Sequence, residues 1–100
     1  LDVHALKRLL DEGRITVIDV RPADERKIAP FAGAEVLDAS SHERLVKLPK
    51  ETPLAFLCHH GNSSARAAEH FREQGFRVVH NIVGGIEAWS SEIDSSVPHY

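Results

Sequence analysis

The chain reads as an α/β protein: a small, mainly parallel sheet of about five strands with helices on both faces. Two apolar runs and the pattern between them lead there. Ile15–Val20, ITVIDV, is β-branched and mostly apolar, and Leu54–Leu57, LAFL, is an unbroken apolar run. Both have the composition of strands covered on two faces. Stretches with helical spacing alternate with the strand candidates along the chain, which is the order expected of a parallel sheet. The 100 residues suit one domain with a real but modest core.

Leu1–Val3 is either the end of a truncated first strand or the lead-in to a helix. Asp2 is a suitable N-cap for that helix, Ala5, Leu6, Leu9 and Leu10 have helical spacing, and Gly13 ends it. Asp19 and Arg21 close the ITVIDV strand. Their simplest role is structural, a charge pair that holds loops and shapes the rim of a pocket. Pro22 suits a first helical turn, and Ala23–Ile28 follows as a short helix carrying Glu25. Glu35–Leu37 is a brief strand. His42–Leu48 reads as a helix capped by Ser40 or Ser41, with Pro49 and Pro53 bounding the next loop.

After the LAFL strand, Ser63 and Ser64 offer capping hydroxyls to a helix whose stripe contains Ala65, Ala67, Ala68 and Phe71. Gly75 followed by Phe76 has the form of a Schellman ending. Phe76–His80 is the next strand, through Val78 and Val79. Gly84 and Gly85 allow close backbone approach, Ile86–Ile93 reads as a helix containing Trp89, and Asp94–Tyr100 reads as a tail.

The chemistry concentrates at Cys58, the only cysteine, placed where a strand's carboxyl end meets a helix's amino end. In open α/β sheets ligands bind there. Between Cys58 and the helix lie His59, His60, Gly61, Asn62 and Ser63, whose backbone N–H groups can curl around one centre. Gly61 and Asn62 best tolerate the positive φ that such a curl needs. Inward N–H groups beside a helix N-terminus form an anion site and stabilise a thiolate within it. Ser63 and Ser64 can add hydroxyl donors. His59 and His60 fit the loop rim better than direct acid–base duty, because adjacent side chains point apart. No metal-ligand spacing accompanies them, and the chemistry calls for no cofactor.

Composition narrows the partners. A net charge of −3 and the lack of any basic block argue against nucleic acid and anionic membranes, so anion binding must be local. No run approaches the roughly 18 apolar residues of a membrane span, and no signal peptide opens the chain. A single cysteine makes no internal disulfide, which points to a reducing cytoplasm. The absence of methionine marks the chain as an excised or processed module, with a fused or docked partner domain as a corollary.

Three motifs in order carry a resemblance: CHHGNSS at Cys58–Ser64 before a helix, VGGIEAW at Val83–Trp89, and Asp19-Val20-Arg21 with Glu25 just after. Together they resemble the rhodanese-like sulfurtransferases, particularly the small single-domain ones, over nearly the whole chain. Pro30, Phe31 and Ala32 stand where that family usually shows a Gly-His pair. The resemblance implies a three-layer α/β fold and a persulfide carried on Cys58, with His59–Ser63 completing a six-residue loop. It further implies a small anionic sulfane donor such as thiosulfate, and a thiol or cyanide as acceptor. Competing readings are a sulfur-relay or regulatory binding module of a larger protein, and a cysteine phosphatase or arsenate reductase. The last needs an arginine six positions after the cysteine, where Ser64 stands.

Overall fold

A computed structural model describes residues 1–100, in which five helices alternate with four strands. In order these are α1 (Val3–Asp11), β1 (Thr16–Asp19), α2 (Ala23–Ile28), β2 (Glu35–Val36), α3 (His42–Val46), β3 (Leu54–Leu57), α4 (Ser63–Glu73), β4 (Val79–Asn81) and α5 (Gly85–Glu92). The strands lie in the order β2-β1-β3-β4, and every pairing is parallel. Val17 stands opposite Ala55 and Phe56 opposite Asn81, so the carboxyl ends of β1, β3 and β4 share one edge.

Side chains of a strand alternate between faces, and this divides the core in two. Val17, Ala55 and Leu57 pack with Val3 and Leu6 of α1 and with Ile86 and Trp89 of α5. Ile18, Leu54 and Phe56 pack with Leu45 of α3 and with Ala68 and Phe71 of α4. All four residues of β3 are fully buried, which accounts for their unbroken apolar run. Phe56 and Phe71 meet at 5.0 Å between ring centroids, and burial of each stabilises the fold by about 1.5–3 kcal/mol.

Residues 1–100 contribute four strands, not five, because, of Leu1–Val3, only Leu1 lies beside β4 before α1 begins. Leu1 donates to Asn81 O at 3.2 Å and accepts from Val83 N at 2.9 Å. Asp2 then caps α1 by accepting from Ala5 N at 2.8 Å, so Val3 is already helical. β4 begins at Val79 instead of Phe76, because Phe76 completes the end of α4. Its N–H reaches Phe71 O at 3.2 Å while Gly75 N–H reaches Arg72 O at 3.0 Å, the two bonds of a Schellman motif. The Phe71 and Phe76 rings pack at 5.5 Å.

The final residues do not form a free tail. Val97 is buried in the core, with its carbonyl accepting from Ser90 Oγ, and Tyr100 lies against the loop that follows β3.

Candidate active site

Cys58 directly follows β3 and opens the loop that ends at α4. Its position at the sheet's carboxyl edge comes from β3 itself: four inward-packed residues leave the fifth at the strand's end. Cys58 is buried, 4% exposed, but its sulfur has polar neighbours. Gly61 N–H donates to Sγ at 3.1 Å, and Ser64 Oγ lies 3.1 Å from Sγ.

The loop is held by clamps on its carbonyls. Ile86 N–H donates to Cys58 O at 2.9 Å and Glu87 N–H donates to His59 O at 3.1 Å, both from the first turn of α5. Asn81 Nδ2 donates to Gly61 O at 2.7 Å. In a planar trans peptide the N–H points opposite to the carbonyl. These clamps therefore turn the N–H groups of His59, His60 and Asn62 away from α5 and Asn81, and none of the three donates to another group of the chain. Gly85 makes the approach of α5 possible. A Cβ there would lie 2.4 Å from Cys58 O and 2.5 Å from His59 O.

Gly61 adopts φ +96°, while Asn62 has an ordinary φ of −87° and takes the N-cap position of α4 without a side-chain bond. Positive φ is needed once, at the glycine. Neither serine caps α4: Ser63 is exposed on its first turn, and Ser64 is fully buried with its hydroxyl in the site. A side chain one residue inside a helix points back toward the preceding loop. That direction brings Ser64 to the sulfur.

His59 is sandwiched, its ring 3.9 Å from His60 and 3.8 Å from Tyr100 in stacked geometry. Its Nε2 is buried without a hydrogen-bond partner, 3.9 Å from Glu87 Oε2. His60 is exposed on the outer side of that stack. Neither imidazole hydrogen-bonds to the sulfur, and the two rings do not point apart as expected of adjacent residues but stack face to face.

Asp19 and Arg21 form a buried bidentate pair, with Nε to Oδ1 at 3.0 Å and Nη2 to Oδ2 at 2.8 Å. Burial opposes the guanidinium charge, but hydrogen bonds to Asp19 and Tyr100 outweigh it and hold the Arg21 pKa above its ordinary value. Arg21 Nη1 donates to Tyr100 Oη at 3.2 Å, and Tyr100 Oη donates to Glu25 at 2.8 Å. Burial first, and the bond to Glu25 second, push the phenol up to about 12 against the pull of Arg21. The pair thus supports the loop at second hand, through the ring stacked on His59. A separate groove of about 420 Å³, lined by Leu10, Phe31, Trp89 and Val97 among others, contains no residue of the Cys58 loop.

Residues 2–92 match the model of the rhodanese-like domain. The chain belongs to the rhodanese-like domain family. A maize adenylyltransferase and sulfurtransferase, MOCS3-1, is 36% identical over 105 residues, covering 94% of this chain and 22% of the maize protein. A Drosophila sechellia adenylyltransferase and sulfurtransferase, MOCS3, is also 36% identical, over 109 residues, covering all of this chain and 24% of its own length. The chain thus spans about a quarter or less of these relatives. Among solved structures, the rhodanese-like domain protein of Staphylococcus aureus superposes with a TM-score of 0.77 at 25% identity, covering 93% of this chain and 92% of that one. The human single-domain sulfurtransferase TSTD1 shares the fold, with a TM-score of 0.78 at 22% identity and coverage of 92% and 95%.

Within this rhodanese-like domain the fold brings Gly61 N–H and Ser64 Oγ to the Cys58 sulfur, while Asn62, Ser63 and His60 make no hydrogen bond to it. Two participants escaped sequence reasoning. Asn81 carries no local signal beyond its place at the end of β4, and Tyr100 sits in a stretch whose serines and proline read as tail.

Proposed function

We propose that this rhodanese-like domain is a sulfurtransferase that carries sulfane sulfur on Cys58. The observation that carries the proposal is the donor set on Sγ, Gly61 N–H and Ser64 Oγ, beside a loop whose remaining N–H groups have no partner in the chain. Preorganised N–H dipoles at a helix N-terminus favour negative charge on sulfur and on an incoming anion. In the first step the Cys58 thiolate attacks the outer sulfur of a donor such as thiosulfate. The donor S–S bond breaks and sulfite leaves with the electron pair. An acceptor thiolate then attacks the outer sulfur of the persulfide, taking it and restoring the Cys58 thiolate. His59, His60, Asn62 and Ser63 line the approach, and the Asp19–Arg21 pair fixes its rim through Tyr100.

A sulfur-relay role within a longer protein is the second reading, favoured by relatives that are named adenylyltransferase and sulfurtransferase and are about four times longer than the matched region. The acceptor would then be a fused or docked thiol, and the chemistry at Cys58 would be unchanged. A reducing, cytoplasmic setting suits a lone free thiol. A phosphatase is disfavoured because the sixth position after Cys58 is a buried serine with no guanidinium to clamp a tetrahedral anion.

Mass spectrometry of the intact chain after thiosulfate exposure tests the proposal. The expected result is a gain of one sulfur that is absent in Cys58→Ala. No gain with several sulfane donors leaves a non-catalytic binding module, and aryl phosphate hydrolysis lost in Cys58→Ser restores the phosphatase.

A further inference from the structure

We infer that Asn81 is a positioning residue for the Cys58 sulfur, acting through the Ser64 hydroxyl and the Gly61 peptide; the inference rests on Cys58 being the reacting atom. Gly61 is pinned at both ends, its N–H on Sγ at 3.1 Å and its carbonyl on Asn81 Nδ2 at 2.7 Å. That second bond fixes which way the amide faces. Turning it over would set Oδ1 against the Gly61 carbonyl, acceptor against acceptor. Oδ1 therefore faces Ser64, which donates its hydroxyl proton to it.

Ser64 Oγ has one proton and two neighbours that can take it, Asn81 Oδ1 and Cys58 Sγ. While that proton is on Asn81, Ser64 presents only a lone pair to sulfur, which suits a protonated thiol. The resting chain is then S–H to Ser64 Oγ, and Ser64 O–H to Asn81 Oδ1. When the thiol proton leaves to a base in solution, the sulfur becomes an acceptor and competes with Oδ1 for the hydroxyl. The charged acceptor makes the stronger bond, so the hydroxyl turns to sulfur and Oδ1 loses its donor. Asn81 thus governs how readily Ser64 supports an anionic sulfur, while holding Gly61 N–H in place for the same task.

The test follows alkylation of Cys58 by iodoacetamide at a fixed pH, with melting temperature and thiosulfate-dependent sulfur loading measured on the same samples of the chain. In Asn81→Asp a carboxylate retains the Ser64 proton, lacks the donor for Gly61 O and sets like charge near the sulfur. Alkylation should slow about tenfold, and the slowing should shrink to about threefold in the Ser64→Ala background. An architectural Asn81 would instead give faster alkylation as the loop loosens, in step with the melting temperature, and additive effects in the double variant. That pattern overturns the inference. Should Asn81→Asp not fold, the cycle of Asn81→Ala with Ser64→Ala decides. Freed of Asn81, Ser64 serves sulfur alone, so its removal must slow alkylation more than in the wild-type chain, and equal slowing overturns the inference. Alkylation needs no sulfur donor. A chain that shows the coupling but loads no sulfur therefore removes the sulfurtransferase proposal and leaves the role of Asn81 standing.

Discussion

Gly61 shows how little freedom the sulfur site has at single residues. Its φ of +96° suits glycine, and an added Cβ would lie 3.0 Å from Ile82 O and 3.2 Å from Gly84 N. Both neighbours are backbone, so neither yields easily. Gly61→Val should therefore slow persulfide formation by about a hundredfold, the scale of a misplacement of about 1 Å at a reacting centre. Stability should fall as well, by roughly 1–2 kcal/mol for the conformational term alone. Sulfur-loading rates set beside urea denaturation measure the two effects. A loss of stability with unchanged loading would contradict the idea that the glycine shapes the loop.

At the scale of elements, two helix ends do different work. α4 finishes in a Schellman motif whose Gly75 has φ +102° and open space around it, with Lys50 Cδ at 3.9 Å as the nearest atom to an added Cβ. Gly75→Ala should cost about 1–2 kcal/mol in urea denaturation and leave the alkylation of Cys58 unchanged, because the far end of the helix carries the site. The start of α5 is the opposite case. A Cβ at Gly85 would press into the carbonyls of Cys58 and His59, so Gly85→Ala must separate α5 from the loop. The expected outcome is loss of sulfur loading even in the fraction that remains folded. Retained loading would mean that the bonds from Ile86 and Glu87 do not hold the loop in its working shape.

For the whole molecule, the Asp19–Arg21–Tyr100–Glu25 chain ties β1, α2 and the last residues to the loop. Arg21→Ala leaves Asp19, with its side chain 3% exposed, as an unpaired buried charge, and about 3–5 kcal/mol of stability should be lost in denaturant titration. Tyr100 supplies a pH signature. Its phenol rises from an ordinary 10.0 to about 12, so the folded chain favours the neutral form. The contribution is therefore complete below pH 10 and disappears as pH climbs through about 12. Unfolding measured across that window should show the decline in the wild-type chain and a flatter course in Tyr100→Phe. The same flatness in both would remove Tyr100 from the pH dependence.

Strands β1 and β3, helices α1 and α4, the glycine-phenylalanine end of α4 and the place of Cys58 were all legible in the residues. Each is a local pattern, an apolar period or a terminator within a few positions. The capping role assigned to Ser63 and Ser64 failed because residue type alone does not say whether a hydroxyl turns to its own helix or to a neighbour. The sequence by itself thus determined the parallel α/β architecture and the strand-loop-helix unit that presents the thiol. Only the tertiary structure decided that Ser64 meets the sulfur, that Asn81, 20 residues from Gly61, holds its carbonyl, and that Tyr100, 75 residues from Glu25, closes over His59. The physical reason is that these partners lie on different elements and meet only once the helices and the last residues are packed on the sheet. For Asn81 on β4 the register also decides, since a slip of one residue would send its side chain to the other face.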